Sequence, residues 1–185
     1  MDYKINIAGL ERDLPLCRVS DDFYIAAFIL FGDVEMTVTA AEALLAKAPE
    51  FDVILTAESK GIPLAFEMAR QSGNKPYVVA RKGKKLYMKD VFTVTVNSIT
   101  TDHLQQLCIG EDERHTMAGK RILLVDDVIS TGESLESLEK LCDAVGAEIV
   151  GRMAILAEGD AIGRGDITYL EPLPVFHADG TIIEE

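Results

Sequence analysis

Short apolar runs alternate with amphipathic segments through most of the chain. Four runs have the length and apolar content of buried strands: 52–58, 76–81, 120–128 and 147–158. Three segments have helical spacing of apolar residues, with a proline or glycine where the helix ends: 39–48, 61–73 and 134–146. Residues 91–98 alternate cleanly and 103–110 more weakly, which predicts an antiparallel flap. The first 35 residues show no regular pattern.

The order of these elements predicts the fold class. Strand and helix follow one another repeatedly, and the predicted strands are apolar on both faces. Such strands belong to a parallel sheet that is covered by helices on both faces. We therefore expect an α/β fold.

Length and charge restrict the classes of partner. The chain has 185 residues, which fits one domain, and 48% of them are apolar. Its net charge is −13, which argues against nucleic acid as the main partner because phosphate backbones are bound by basic patches. No apolar run approaches the ~20 residues of a membrane helix, and the first residues do not form a secretory signal. We expect a cytoplasmic protein without a membrane partner.

The most informative chemistry follows the apolar run 120–128. Asp126 and Asp127 stand at its end, and the small, hydroxyl-bearing turn 130–134 leads into a predicted helix. A helix N-terminus offers unpaired N–H groups and partial positive charge, which suit a phosphate. The carboxylates suit vicinal hydroxyls, or a Mg²⁺ ion between ligand and protein. A phosphorylated ribose carries a diol close to a phosphate, so it fits this pattern.

The segment ILLVDDVISTGES (122–134) resembles the 5-phosphoribosyl-1-pyrophosphate (PRPP) motif of type I phosphoribosyltransferases. The resemblance implies that Asp126 and Asp127 face the ribose 2- and 3-hydroxyls and that the turn cradles the 5-phosphate. It also implies that Val128 lines the base. The substrate-binding residues expected here are Asp126, Asp127, Val128, Ile129, Ser130, Thr131, Gly132, Glu133 and Ser134.

Two further segments resemble the purine branch of that family. AESKG (57–61) is similar to its pyrophosphate loop, and VVARKGKKL (78–86) is similar to the basic segment of its adenine and xanthine enzymes. Four cations within residues 81–85 of so acidic a chain indicate a polyanionic substrate. The residues expected to bind from these segments are Glu58, Ser59, Lys60, Gly61, Arg81, Lys82 and Lys85. The expected catalytic residues are Lys60, Arg81, Asp126 and Asp127.

The resemblance also implies an organisation for the whole chain. We expect a single domain, with a core over about 37–160 and a small hood over the base from about 1–36 and 161–185. A homodimer is implied, since the basic loop of this family contributes to the pyrophosphate site across the dimer interface. Mg²⁺ is the implied cofactor, held mainly by PRPP and by Asp126 or Asp127.

The expected function is transfer of 5-phosphoribosyl from PRPP to a purine, with adenine favoured, in purine salvage. Against adenine stands the flap, where residues 96–100 lack the tyrosine and glutamate usual in the adenine branch. The alternatives are a xanthine- or guanine-type enzyme and a non-catalytic regulatory protein that senses PRPP.

Overall fold

The structure is a computed structural model that describes residues 1–97 and 104–183. Its strands are β1 (Asp2–Ile7), β2 (Leu10–Arg18), β3 (Tyr24–Ala26), β4 (Val53–Ala57), β5 (Tyr77–Ala80), β6 (Phe92–Asn97), β7 (Leu104–Ile109), β8 (Arg121–Ile129), β9 (Glu148–Glu158), β10 (Thr168–Leu173) and β11 (Val175–Phe176). Its α-helices are α1 (Val34–Leu45), α2 (Ile62–Gln71), α3 (Glu111–Met117) and α4 (Glu133–Val145).

Five parallel strands form the central sheet, in the order β10-β9-β8-β4-β5. Every residue of β4 is buried. Burial on both faces explains why the predicted strands are apolar throughout rather than alternating. In the middle of the sheet, Val128 of β8 lies opposite Leu156 of β9. The expected α/β class is confirmed.

Helices cover both faces of this sheet. On one face α1 and α2 bury Leu44 and Met68 in a core that they share with residues of β1, β2 and β11. On the other face α4 buries Leu138 and Leu141 against the sheet and the flap. Helix α1 begins at Val34, earlier than the expected start at residue 39, because the Asp33 carboxylate caps it by accepting a 3.0 Å hydrogen bond from the Met36 N–H.

The first residues form regular strands, which corrects the expectation of a segment without regular pattern. Strands β1, β2 and β3 form an antiparallel sheet with β11 from the end of the chain. Leu14 of β2 and Phe176 of β11 are buried beneath it, and the rings of Tyr3 and Phe176 lie 5.0 Å apart. This sheet joins the two ends of the chain, from which a hood is expected, and it is called the hood sheet below.

Strand β10 belongs to the central sheet, which corrects the expectation that all of residues 161–185 form the hood. It pairs in parallel with β9, and Leu173 lies opposite Glu158. Its central residues are half-buried, which is the pattern of an edge strand and a weak signal in sequence. Within the C-terminal region, only the part from Val175 onward pairs with the hood strands among the described residues.

The flap is an antiparallel pair formed by β6 and β7, which pack against α4. Helix α3 follows it and was not expected; the Gly110 N–H donates a 2.9 Å hydrogen bond to the Glu113 carboxylate at its start. Residues 98–100 of the flap segment discussed above lie outside the described residues. None of the helices in 1–97 and 104–183 is long and apolar enough to span a membrane.

Candidate active site

Two carboxylates stand near the carboxyl end of β8. Asp127 is buried, and its N–H donates a 2.9 Å hydrogen bond to Asp126 Oδ1. Burial raises the pKa of Asp126 well above its ordinary value, and the negative charge of Asp127 raises it further. Asp127 Oδ2 has no hydrogen-bond partner within the described residues. The pair therefore offers acceptor atoms to a ligand that brings donors or positive charge.

A lysine from the neighbouring strand end faces this pair. Lys60, in the loop between β4 and α2, places its Nζ 3.2 Å from Asp127 Oδ2, an ion-pair distance without hydrogen-bond geometry. Gly61 allows the loop that carries Lys60 to lie close to β8, because a Cβ at position 61 would lie 2.8 Å from Asp126 Oδ1 and 2.6 Å from Thr56 Oγ1. A side chain at position 61 would push the loop away from β8.

The turn that follows the acid pair forms a small pocket at the start of helix α4. Gly132 is the N-cap of helix α4. Its φ of +84° is a backbone conformation that L side chains rarely adopt. A pocket of about 50 Å³ opens at the turn. It is lined by Asp126, Val128, Ile129, Ser130, Thr131, Gly132, Glu133, Ser134 and Leu135. The structure thus brings together the segment that the sequence singled out.

Arg164 is a neighbour of this turn and is not among the site residues expected from the sequence. A Cβ on Gly132 would lie 2.8 Å from Arg164 Nη1. The guanidinium is held by Asp166, which accepts hydrogen bonds of 3.0 Å from Nε and 2.7 Å from Nη2. No spacing rule connects residues 132 and 164, since the fold alone makes them neighbours.

The basic loop, defined here as Arg81–Lys85, is organised by one carboxylate. Glu58 Oε2 accepts a 3.0 Å hydrogen bond from the Lys82 N–H, and Glu58 Oε1 lies 3.6 Å from both Arg81 Nη1 and Lys85 Nζ. The Lys82 N–H, followed by the charges of Lys85 and Arg81, lowers the pKa of Glu58. The backbone of Arg81 also exchanges two 2.8 Å hydrogen bonds with Cys108 of β7.

These groups meet because β4, β5 and β8 are parallel, so that their carboxyl ends lie at one edge of the sheet. Lys60 contacts the acid pair, whereas Arg81 and Lys85 contact Glu58 and make no ion pair with Asp126 or Asp127. The expected residues thus form two groups, one acidic and one basic, which the loop Glu58–Gly61 links.

Comparisons with known proteins show the family of the chain. Residues 37–177 match the family model described as the phosphoribosyl transferase domain. The chain is 36% identical to adenine phosphoribosyltransferase of Thermotoga maritima, over 92% of this chain and 91% of that one. It is 35% identical to xanthine phosphoribosyltransferase of Bifidobacterium adolescentis, over 72% of this chain and 69% of that one.

A solved structure of adenine phosphoribosyltransferase from Thermoanaerobacter pseudethanolicus has the same fold. It superposes with a TM-score of 0.66 at 22% identity, over 77% of this chain and 84% of that one. The fold and the site define a phosphoribosyltransferase of type I. The chain belongs to the phosphoribosyl transferase domain family, and the enzyme class expected from the sequence is confirmed.

Proposed function

We propose that the protein is a purine phosphoribosyltransferase that transfers 5-phosphoribosyl from PRPP to a purine nitrogen and releases pyrophosphate. The observation that carries the proposal is the acid pair Asp126–Asp127 directly before a glycine turn at a helix N-terminus. This arrangement suits a ribose diol next to a phosphate. The relatives named as adenine and xanthine enzymes support the purine class.

The ribose and its 5-phosphate are assigned to the acidic side of the site. Asp126 and Asp127 accept hydrogen bonds from the 2- and 3-hydroxyls, and the backbone and hydroxyls of residues 130–134 bind the phosphate. Val128, on the strand between them, lines one face of the base. Because oxocarbenium-like charge develops on the ribose as the bond to pyrophosphate breaks, two nearby carboxylates also suit the transition state.

The pyrophosphate is assigned to the cationic side. Lys60, Arg81, Lys82 and Lys85 stabilise the charge that accumulates on the departing oxygens, while Glu58 keeps the basic loop in place. The segment 82–97 is proposed to close over the bound substrates as a lid, since an activated ribose must be kept from water.

Mg²⁺ is the proposed cofactor. Within the described residues, no group of three or more His, Cys, Asp or Glu side chains could hold a metal ion alone. Asp126 and Asp127 nevertheless fit a Mg²⁺ that is bound mainly by PRPP, since Mg²⁺ takes one or two carboxylates together with phosphate oxygens. Asp127 Oδ2, which accepts no hydrogen bond within the described residues and lies at ion-pair distance from Lys60, is the ligand atom that Asp127 offers. When bound, Mg²⁺ neutralises charge on the pyrophosphate.

Adenine is the favoured base, and xanthine or guanine the alternative. The adenine enzyme of Thermotoga maritima matches over nearly the whole chain, whereas the match to the xanthine enzyme covers a smaller share. We further propose a cytoplasmic homodimer. The exposed side chains of Leu86 and Tyr87, next to the basic loop, support an interface at this edge.

A panel assay tests the proposal. Pyrophosphate release from PRPP is measured with adenine, guanine, hypoxanthine, xanthine, orotate and uracil, with and without Mg²⁺. We expect turnover with a purine, with adenine preferred, and none without Mg²⁺. Activity confined to orotate or uracil would refute the purine class. PRPP binding without turnover on any base would support the regulatory alternative instead.

A further inference from the structure

Glu158 is a carboxylate at the candidate site that none of the assignments above uses. It is the last residue of β9, beside the strand that carries the acid pair. Its side chain is half-buried, and within residues 1–97 and 104–183 it makes no hydrogen bond or ion pair. A partly buried acceptor without a protein partner needs water or a ligand to satisfy it, and is open to either.

The direction of the Glu158 side chain follows from the strand. Residues that are paired across a sheet point to the same face, so Glu158 points to the same side as Leu173, its partner in β10, which is buried in the core beneath the hood. Leu156 belongs to the core beneath the hood, and it lies opposite Val128, which packs on that core. After Leu173 the chain enters the hood sheet. It therefore lies between the strand ends and the hood, next to the surface assigned to the base.

The surroundings of Glu158 contain little positive charge. Burial raises the pKa of its carboxyl, and Lys60 is the cation whose charge opposes this effect. Lys60 itself lies 3.2 Å from Asp127. Glu158 thus has no lysine or arginine that pairs with it alone. Its ionised carboxylate can accept hydrogen bonds, and its protonated form can both donate and accept.

We propose that the Glu158 carboxyl contacts the purine and selects bases with an amino group at C6 over bases with a carbonyl there. This inference rests on the proposed function and adds the residue that chooses the base. A carboxylate accepts the N–H of a 6-amino group. A carbonyl oxygen at the same place would present lone pairs to the oxygens of the ionised carboxylate, and Lys60, which is paired with Asp127, offsets only part of this repulsion.

Base choice in a matched pair of variants tests the inference. Glu158→Gln keeps the size of the side chain but supplies an amide N–H that can donate to a carbonyl oxygen. We measure kcat/KM for adenine, hypoxanthine and guanine in the wild type and in this variant. The preference for adenine over hypoxanthine should fall by about tenfold or more, while the KM for PRPP stays within about twofold.

Asp160→Asn is the control, because Asp160 is an exposed carboxylate two residues further along the chain. It should leave both the base preference and the KM for PRPP unchanged. An unchanged adenine preference in Glu158→Gln would overturn the role of Glu158. A wild type that prefers guanine or hypoxanthine would overturn it too. Both results would leave the proposed function standing. A wild type without turnover on any purine would overturn the proposed function and this inference with it.

Discussion

Two segments at the same edge of the sheet, the acidic segment Asp126–Ser134 and the basic loop Arg81–Lys85, are held in place by different means. The acidic segment is part of β8, the turn and the start of α4, and its flanking residues Val125 and Leu135 are buried. The basic loop is exposed or half-exposed and is fixed by Glu58 and by the bridge between Arg81 and Cys108.

This difference separates two kinds of preorganisation. In the acidic segment, backbone structure and packing set the positions of the carboxylates, at the cost of desolvating like charges side by side. In the basic loop, attraction to Glu58 and the backbone bridge to Cys108 set the positions of Arg81 and Lys85. Ion pairs at partly exposed sites are weak, so a polyanion can compete with Glu58 for Arg81 and Lys85. We therefore expect changes in the two segments to affect binding, turnover and stability differently.

The largest effect is expected when both acids are neutralised. Asp126→Asn together with Asp127→Asn should lower the affinity for PRPP in the presence of Mg²⁺ by about a hundredfold or more, because charge-assisted hydrogen bonds to the ribose and any metal ligation are lost. Isothermal titration calorimetry measures this loss. The folded variant should be at least as stable as the wild type, since buried like-charge repulsion disappears.

The double variant Asp21→Asn, Asp22→Asn removes the same net charge from an exposed turn between β2 and β3 and serves as its control. It should bind PRPP as the wild type does. Undiminished PRPP affinity in the folded Asp126, Asp127 variant would show that these residues are not the ribose ligands.

A smaller effect, and one on turnover, is expected in the basic loop. Arg81→Ala should lower kcat by about 10–100-fold, the equivalent of one hydrogen bond to a charged group in the transition state. The melting temperature should change little. The ion pair lost is partly exposed, with 3.6 Å between Arg81 Nη1 and Glu58 Oε1, so it contributes little stability, and the backbone bridge to Cys108 is kept. Steady-state kinetics and thermal unfolding are measured on the same preparation.

Arg114→Ala is the matched control, because Arg114 is also an arginine paired with one glutamate, Glu111, but lies on α3. It should leave kcat unchanged. A collapse of stability in Arg81→Ala, with normal turnover by the protein that remains folded, would make Arg81 a structural residue.

Local signals account for what the sequence predicted correctly. β4, β8, α2 and α4 are apolar runs or amphipathic segments, and the acid pair with its turn lies on contiguous residues. Each can be recognised from its own neighbours in the chain. The parallel sheet then follows, and with it the meeting of the segments at one edge.

Part of what was not predicted was visible locally: β1 and β2 alternate exposed with buried or half-buried positions and form a hairpin across the two-residue turn Ala8–Gly9. The rest depends on pairing between distant segments, since β11 has two residues and pairs with β3 from the opposite end of the chain. The same holds for Arg164 beside Gly132 and for Glu158 beneath the hood. Their side chains acquire a possible role only when the strands are placed.

The smallest expected effect concerns stability and its dependence on pH. The pKa of Asp126 is raised above its usual value of 3.8 by burial and by Asp127. Above pH 3.8 the folded protein therefore holds more protons at this site than the unfolded chain, and its stability falls as the pH rises toward the folded pKa. Asn at position 126 cannot ionise, so it removes this loss.

We accordingly expect the melting temperature of Asp126→Asn, relative to the wild type, to rise by a few degrees between about pH 4 and pH 7, as measured by thermal unfolding at several pH values. Asp52→Asn provides the opposite sign. Hydrogen bonds from Arg121 lower the pKa of Asp52, so its contribution to stability is present above its unfolded pKa and is lost as the pH falls. Its melting temperature relative to the wild type should therefore stay lowered and nearly constant between about pH 4 and pH 7, and should recover only as the pH falls below about 4. Parallel curves for the two variants would mean that Asp126 is not held at an unfavourable, desolvated position, and the acidic segment would then be no more strained than the basic loop.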